Sequence, residues 1–314
     1  MRRDSQFGAY LALNSVVVFW GLSFVATKVA LESFPTFTLV FARFGLSSCL
    51  FLALMVRRGL PRFTRNEHGK VLLTAFFQPG LYFVFETIGL QHTTAPKAAL
   101  IIAMIPVVVL VFAAVFLGER TSLAGVFGIG ASLAGIAVLI AGGRQFSLAL
   151  RGHLLGDFLI FGAVMSAAFY IVLARELGRN HSALEISTMQ IIYGALFYAP
   201  AFLWELPDLK WSAISVCSMG ALAYLTVFAT IGAFLCYNHA LTRVPASRAA
   251  VFINGIPLVT ALSAWVLLGE KLTLMQAGGG VLVLFGVCLT NLSGVRAVPQ
   301  EVGKSLSRAP GLQG

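Results

Sequence analysis

The stretch ASRAAVFINGIPLVTALSAWVLLGEK, residues 246–271, restates APKAALIIAMIPVVVLVFAAVFLGER, residues 95–120. Ala95-Pro96-Lys97-Ala98-Ala99 stands against Ala246-Ser247-Arg248-Ala249-Ala250, and Ile105-Pro106 against Ile256-Pro257. Leu117-Gly118-Glu119-Arg120 stands against Leu268-Gly269-Glu270-Lys271, and Gly128 and Gly135 continue the match at Gly279 and Gly286. The offset stays at 151 residues over more than forty positions, so the chain carries an internal repeat. Upstream of residue 95 the two halves align only loosely.

Each repeated block lies in an apolar run, and such runs fill the chain. Of 314 residues, 58% are apolar or aromatic and 11% are charged, against roughly 25% charged in soluble proteins. The mean hydropathy is +0.89. The runs are apolar on every side, which suits lipid and not a water-facing helix. A helix needs about 20 apolar residues to cross the hydrocarbon layer. Ten runs meet that length: 8–30, 36–56, 69–90, 95–117, 122–142, 154–174, 184–204, 212–237, 247–268 and 273–293. Gln78, Pro79, Gly80 and Glu86 interrupt the third. The run from Phe7 to Ala30 is too long for the core of a cleaved leader, so it reads as a first span.

The net charge of +10 sits in the short gaps between runs, where it orients a membrane protein and does not suggest nucleic acid. Assigning alternate gaps to two sides puts 15 of the 22 basic residues on the side of the termini. Basic loops favour the cytoplasm, so both termini are expected there, in a bacterial-type inner membrane. Cys49, Cys217, Cys236 and Cys288 lie in apolar stretches without metal-ligand spacing, and no cofactor or metal is expected.

Ten spans and one repeat give five spans per half. Five is odd, so the second half enters the bilayer inverted. The expected fold is an all-α membrane protein of ten transmembrane helices in two inverted five-helix repeats, residues 1–146 and 147–295, around a central cavity, with a cytoplasmic tail at 296–314. Inverted repeats are a transporter design, because exchanging the conformations of the halves turns an outward-open cavity into an inward-open one. Trp20-Gly21-x-x-Phe24-x-x-x-Lys28, Pro35 and Arg43-Phe44, together with the doubled proline and Leu-Gly-Glu blocks, resemble the EamA branch of the drug/metabolite transporter superfamily. The resemblance covers nearly the whole chain. It implies two five-helix units, a central substrate cavity and roles in amino-acid or metabolite export. The second half has no counterpart of Trp-Gly or Arg-Phe, so the charge chemistry of the halves is unequal.

Ionisable groups inside a bilayer are costly, about 2.5–3.5 kcal/mol near the centre on insertion scales, and each is a functional candidate. Arg43 is the clearest: it either attracts a carboxylate or phosphate in the cavity or caps a neighbouring helix. Trp20, Phe24 and Lys28 share one helical stripe that either lines the cavity or anchors the interface. Glu86 pairs with Arg43 or Lys28, or carries protons. Lys97 and Arg248 open related spans, where a basic residue adds to the positive end of the helix dipole. Tyr82, Tyr170, Asn238 and Asn254 are polar cavity candidates whose alternative role is to bond one helix to another. Pro106 and Pro257 each remove a helical hydrogen bond and mark matched kinks.

No zinc-protease, nucleophile-elbow or phosphate-loop motif occurs, which weighs against an enzyme or an ATP-driven pump. The expected function is a secondary carrier exporting a small polar metabolite, such as an amino acid or derivative, with protons as a candidate coupling ion. A channel or a non-transporting membrane protein is the alternative.

Overall fold

A computed structural model describes residues 2–59, 63–92, 101–117, 122–141, 154–268 and 273–292. Among these no strand occurs, and seven helical stretches are long and apolar enough to cross a membrane. The chain is an all-α, multi-pass membrane protein. Large apolar side chains stand exposed along it, among them Phe7, Leu123, Phe127, Trp204, Val216, Leu274 and Phe285, as a lipid-facing surface requires. The Leu-Gly-Glu turns at 118–120 and 269–271, Lys97 and the tail lie outside the described residues.

The helices are α1 (Arg2–Leu31), α2 (Thr36–Arg58), α3 (Arg65–Ala75), α4 (Tyr82–His92), α5 (Ile105–Leu117), α6 (Leu123–Ala141) and α7 (Leu154–Leu177). There follow α8 (Ala183–Glu205), α9 (Val216–Tyr224), α10 (Ala233–Leu241), α11 (Ala246–Val251), α12 (Ile256–Leu268) and α13 (Leu274–Leu292). Local chemistry sets their ends. Thr64 and Glu67 form a capping box before α3, and Ser182 and Glu185 form one before α8. Gly59, at φ 89, closes α2 where an L side chain would be strained. Pro35 opens α2 without a capping side chain, and Glu205 supplies the acceptor from α8: its carboxylate takes the Thr38 N–H at 2.7 Å and the Thr38 hydroxyl at 3.0 Å. Removing a helix cap costs about 1 kcal/mol. Glu205→Ala is therefore expected to lower the thermal midpoint by a few degrees in detergent, while Glu205→Gln, which keeps an acceptor, loses less.

The interruption at Gln78-Pro79-Gly80 is a break between α3 and α4 within Phe76–Leu81, where Gln78 leaves helical geometry at φ −146, ψ 118. A second break, the π-helical segment Leu225–Gly232, joins α9 to α10. Pro257 follows a 3-10 turn at Phe252–Gly255, and Pro106 follows a turn at Ala103-Met104. The bounds of α12 and α13 each lie 151 residues beyond those of α5 and α6.

Side-chain contacts give the directions. Tyr10 stacks on Phe252, Val17 meets Gly255 and Gly21 meets Val259, so α1 runs parallel to the α11–α12 rod. Trp20 meets Tyr237 while Ser33 meets Ser215, so α1 runs antiparallel to α9–α10. A Cβ on Gly135, late in α6, would fall 2.6 Å from the Val283 nitrogen and 2.8 Å from the Gly279 oxygen, both earlier in α13. A Cβ on Gly286, late in α13, would fall 2.5 Å from the Gly128 oxygen and the Ser132 nitrogen, early in α6. Late meets early both ways, so α6 and α13 are antiparallel, and Ser132 donates to the Val283 carbonyl between them.

Candidate substrate site

The second break, the π-helical segment Leu225–Gly232, prepares the centre of the bundle. A π turn leaves the regular i→i−4 ladder, so carbonyls and side chains there become available to other helices. The Trp20 Nε1 donates to the Ala229 carbonyl at 3.0 Å, and Ser47 donates to the Thr226 carbonyl at 3.3 Å. Thr230 accepts from Arg43 Nε at 2.9 Å. Arg43 is thus held by α2 on one side and by the break in the α9–α10 rod on the other, with only 5% of its surface exposed.

The rest of the guanidinium is framed by rings. Its carbon lies 4.9 Å from the Phe83 centroid and 5.3 Å from the Phe44 centroid. Aromatic faces favour a cation electrostatically. Among the described residues no carboxylate lies within 4 Å of it and no further hydrogen bond engages its two Nη groups. Glu86, half-buried on α4, is near enough for its charge to act on Arg43 but makes no ion pair with it. The Tyr82 hydroxyl lies 3.5 Å from the Glu86 carboxylate, at the limit of a hydrogen bond. The arrangement presents a fixed cation with its outer N–H edge unengaged, an aromatic wall and a carboxylate beyond contact distance.

The first break, at Gln78-Pro79, supports a separate polar chain. Gln190 Nε2 donates to the Gln78 carbonyl at 2.6 Å, and the Tyr198 hydroxyl donates to the Gly80 carbonyl at 2.6 Å. Gly194 leaves room for the Pro79 ring, which a Cβ there would overlap. Asn238 donates to Gln190 Oε1 at 3.1 Å and to the Ser187 hydroxyl at 2.8 Å, and it accepts from the Tyr170 hydroxyl at 3.1 Å. Tyr170 and Asn238 therefore meet each other, fully buried, and tie α7, α8 and α10 together.

Of the other candidates, Trp20 packs against Phe234 and Tyr237, and Phe24 lies partly buried against the same core. The Lys28 side chain lies outside the described residues, as does Lys97. Arg248, on α11, is buried against Tyr10 and stands apart from Arg43. Asn254, in the 3-10 turn before Pro257, has neither amide atom bonded although it is fully buried. Sequence reasoning missed Thr230, Phe83 and Ser187. A threonine or phenylalanine in an apolar run carries no local mark of the partner it meets.

The model of the family described as "EamA-like transporter family" matches residues 7–141 and again 154–292. A Bacillus subtilis (strain 168) protein named "Uncharacterized transporter YetK" is 26% identical over 91% of this chain and 87% of its own length. An "Uncharacterized transporter" of Archaeoglobus fulgidus is 27% identical over 88% of this chain and 96% of its own. A "Probable terminal-alkyne amino-acid exporter" of Streptantibioticus cattleyicolor is 26% identical over 90% and 93%. One solved crystal structure superposes with a TM-score of 0.77 at 19% identity, covering 93% of this chain and 98% of that chain, a likeness of fold.

Proposed function

The chain belongs to the EamA-like transporter family, and we propose that it is a secondary carrier exporting a small carboxylate-bearing metabolite, such as an amino acid or derivative, by alternating access. The observation that carries this is the buried Arg43, tethered by Nε to Thr230 with its Nη edge unengaged. A guanidinium so placed binds a carboxylate through two parallel N–H bonds. Glu86 faces the same region and takes the substrate's cationic group or a proton, which makes protons the proposed coupling ion. The likeness to a named amino-acid exporter supports the substrate class. A family of transporters with relatives of the same kind points away from an enzyme.

Alternating access here means ten spans in two inverted halves, 1–146 and 147–295, with the remaining residues as a tail. The antiparallel α6–α13 pair supports this. Those two helices occupy corresponding places 151 residues apart, and corresponding helices of inverted halves must run oppositely. The two helix breaks, a kink at Gln78 and a π-helical segment at Leu225–Gly232, and the two pre-proline turns recur in the same order in each half. Both termini face the cytoplasm of a bacterial-type inner membrane in this proposal. A cysteine placed at Glu119 is then expected to react with an impermeant maleimide from the side opposite to one placed at Glu270. Labelling of both from one side would remove the inverted repeat and alternating access with it.

The direct test is uptake of a radiolabelled L-amino-acid mixture into proteoliposomes of the purified protein. Saturable flux that an imposed proton gradient accelerates is the expected result. Flux that rises linearly with concentration would indicate a channel, and conversion of the label to new products an enzyme.

A further inference from the structure

Arg43 is not the only buried cation without a counter-ion. Arg248 is 8% exposed, and one of its terminal nitrogens donates to the Tyr10 hydroxyl. Its Nε has no partner, and among the described residues no carboxylate lies within 4 Å. Tyr10 is itself fixed by stacking on Phe252, so the guanidinium is held in place and only partly engaged. A buried unpaired cation is expensive in a membrane protein unless an anion or water reaches it.

The position of Arg248 relative to Arg43 gives this meaning. Tyr10 and Trp20 lie on α1, ten residues and about 15 Å apart along the axis. Trp20 is level with Ala229, beside the Thr230 that holds Arg43, whereas Tyr10 is level with Arg248. Between the two levels stands Tyr237, two turns beyond Thr230. Its ring is 5.3 Å from Trp20, and its hydroxyl is fully buried with no hydrogen-bond partner. Tyr10, Trp20, Tyr237 and Phe252 belong to one core cluster. A line of incompletely bonded polar groups therefore descends from the centre of the bundle to the face where α1 begins.

We propose that Arg248 is a second anion station, which takes the substrate's carboxylate at the amino-terminal face, with the Tyr237 hydroxyl as the donor between it and Arg43. This rests on the carboxylate-carrier reading above and adds a place for the substrate that Arg43 does not provide. A carboxylate on Arg248 satisfies the orphaned Nε. Passing to Arg43 it meets the orphaned hydroxyl, so no step strands it in apolar surroundings.

The test compares half-saturation constants for the radiolabelled L-amino-acid mixture measured from each face, in right-side-out and inside-out vesicles of the full chain. Arg248→Gln is expected to raise the constant at the amino-terminal face relative to that at the opposite face by about tenfold, the effect of losing a charged hydrogen bond. Arg248→Lys keeps most of the parental ratio. A purely structural role for Arg248 reduces the number of working carriers and scales flux without moving the ratio, which overturns the proposal. Where Arg248→Gln fails to fold, Tyr10→Phe releases the guanidinium and is expected to move the ratio in the same direction; an unchanged ratio there overturns the proposal equally. Absence of flux in the parent protein overturns the carrier reading and this station with it. Parental flux with unmoved ratios in the variants overturns the station alone.

Discussion

Arg43→Gln is expected to lower amino-acid flux in proteoliposomes by about 10-fold to 100-fold while the protein stays folded. The size follows from the hydrogen bonds a charged donor makes, about 1.5–3 kcal/mol. The stability half follows from the sign of the burial term. Arg43 is 5% exposed and lacks a carboxylate within 4 Å among the described residues, so the neutral amide removes a desolvated charge and breaks no ion pair, leaving Glu86 without only a longer-range attraction. Thr230 loses the donor to its hydroxyl oxygen, at the cost of one hydrogen bond. The two ring contacts, Phe44 and Phe83, lose only the cation–π part, of order 0.5–2 kcal/mol. Arg43→Lys separates charge from shape. It retains the cation but loses the planar fork and the Nε tether, so its flux should fall between the parent and the glutamine variant. Flux and thermal midpoint measured on the same preparations check this. Loss of both together would make Arg43 a structural residue, and unchanged kinetics would remove it from the substrate path.

What the sequence disclosed and what it withheld differ for physical reasons. The membrane character was legible because hydropathy is a local property of each run. The repeat was legible from residue 95 onward and loose before it, and for the first two spans the helix bounds say why. Helices α2 and α8 correspond at both ends at an offset of 183 − 36 = 147, against 151 for α5 and α12. The connection between the second and third spans is therefore four residues longer in the second half: 206–215 against 59–64. A surface connection accepts such an insertion, while any comparison at one fixed offset loses register across it. The break in the third span was visible as Gln78-Pro79-Gly80, since proline and glycine act locally. The matching π-helical segment at Leu225–Gly232 contains no proline, and Thr226 and Thr230 gave no warning of it.

The site was half legible on the same grounds. A lone arginine in an apolar run announces itself through its cost. Its partners do not, because Thr230 lies 187 residues away, and the Glu205 that caps α2 lies 167 residues from Thr38. Asn238 and Tyr170 were read with two roles open, and the bonds they make to each other, Ser187 and Gln190 favour the link between helices. Glu86 was read as pairing with Arg43 or Lys28 or as carrying protons; its carboxylate lies 3.5 Å from the Tyr82 hydroxyl and forms no ion pair with Arg43, while the Lys28 side chain lies outside the described residues.

The other large effect belongs to the α6–α13 seam. Gly286→Val is expected to abolish the folded protein, and Gly286→Ala to destabilise it by about 1–3 kcal/mol, the usual cost of overfilling a packed contact. An added Cβ would stand 2.4 Å from the Ser132 hydroxyl and 2.5 Å from both the Ser132 nitrogen and the Gly128 oxygen. The last two are backbone atoms, so no rotamer change relieves the clash and the two helices must part. Parting them breaks the Ser132 bond to Val283 and the mirrored contact of Gly135 with Gly279 and Val283. Small residues at such a crossing supply close van der Waals contact, which drives helix association in lipid where no hydrophobic gain exists. Gly278→Ala and Gly130→Ala are the controls. Both positions are helical with nothing within 4 Å of the added carbon, and alanine there should gain up to about 1 kcal/mol of helix propensity. The sign of the alanine effect should therefore reverse between Gly286 and its neighbour two turns away at Gly278, read as opposite shifts of the thermal midpoint in detergent. A uniform response at both sites would mean that α6 and α13 are not in the intimate contact on which the antiparallel pairing, and the inversion inferred from it, depends.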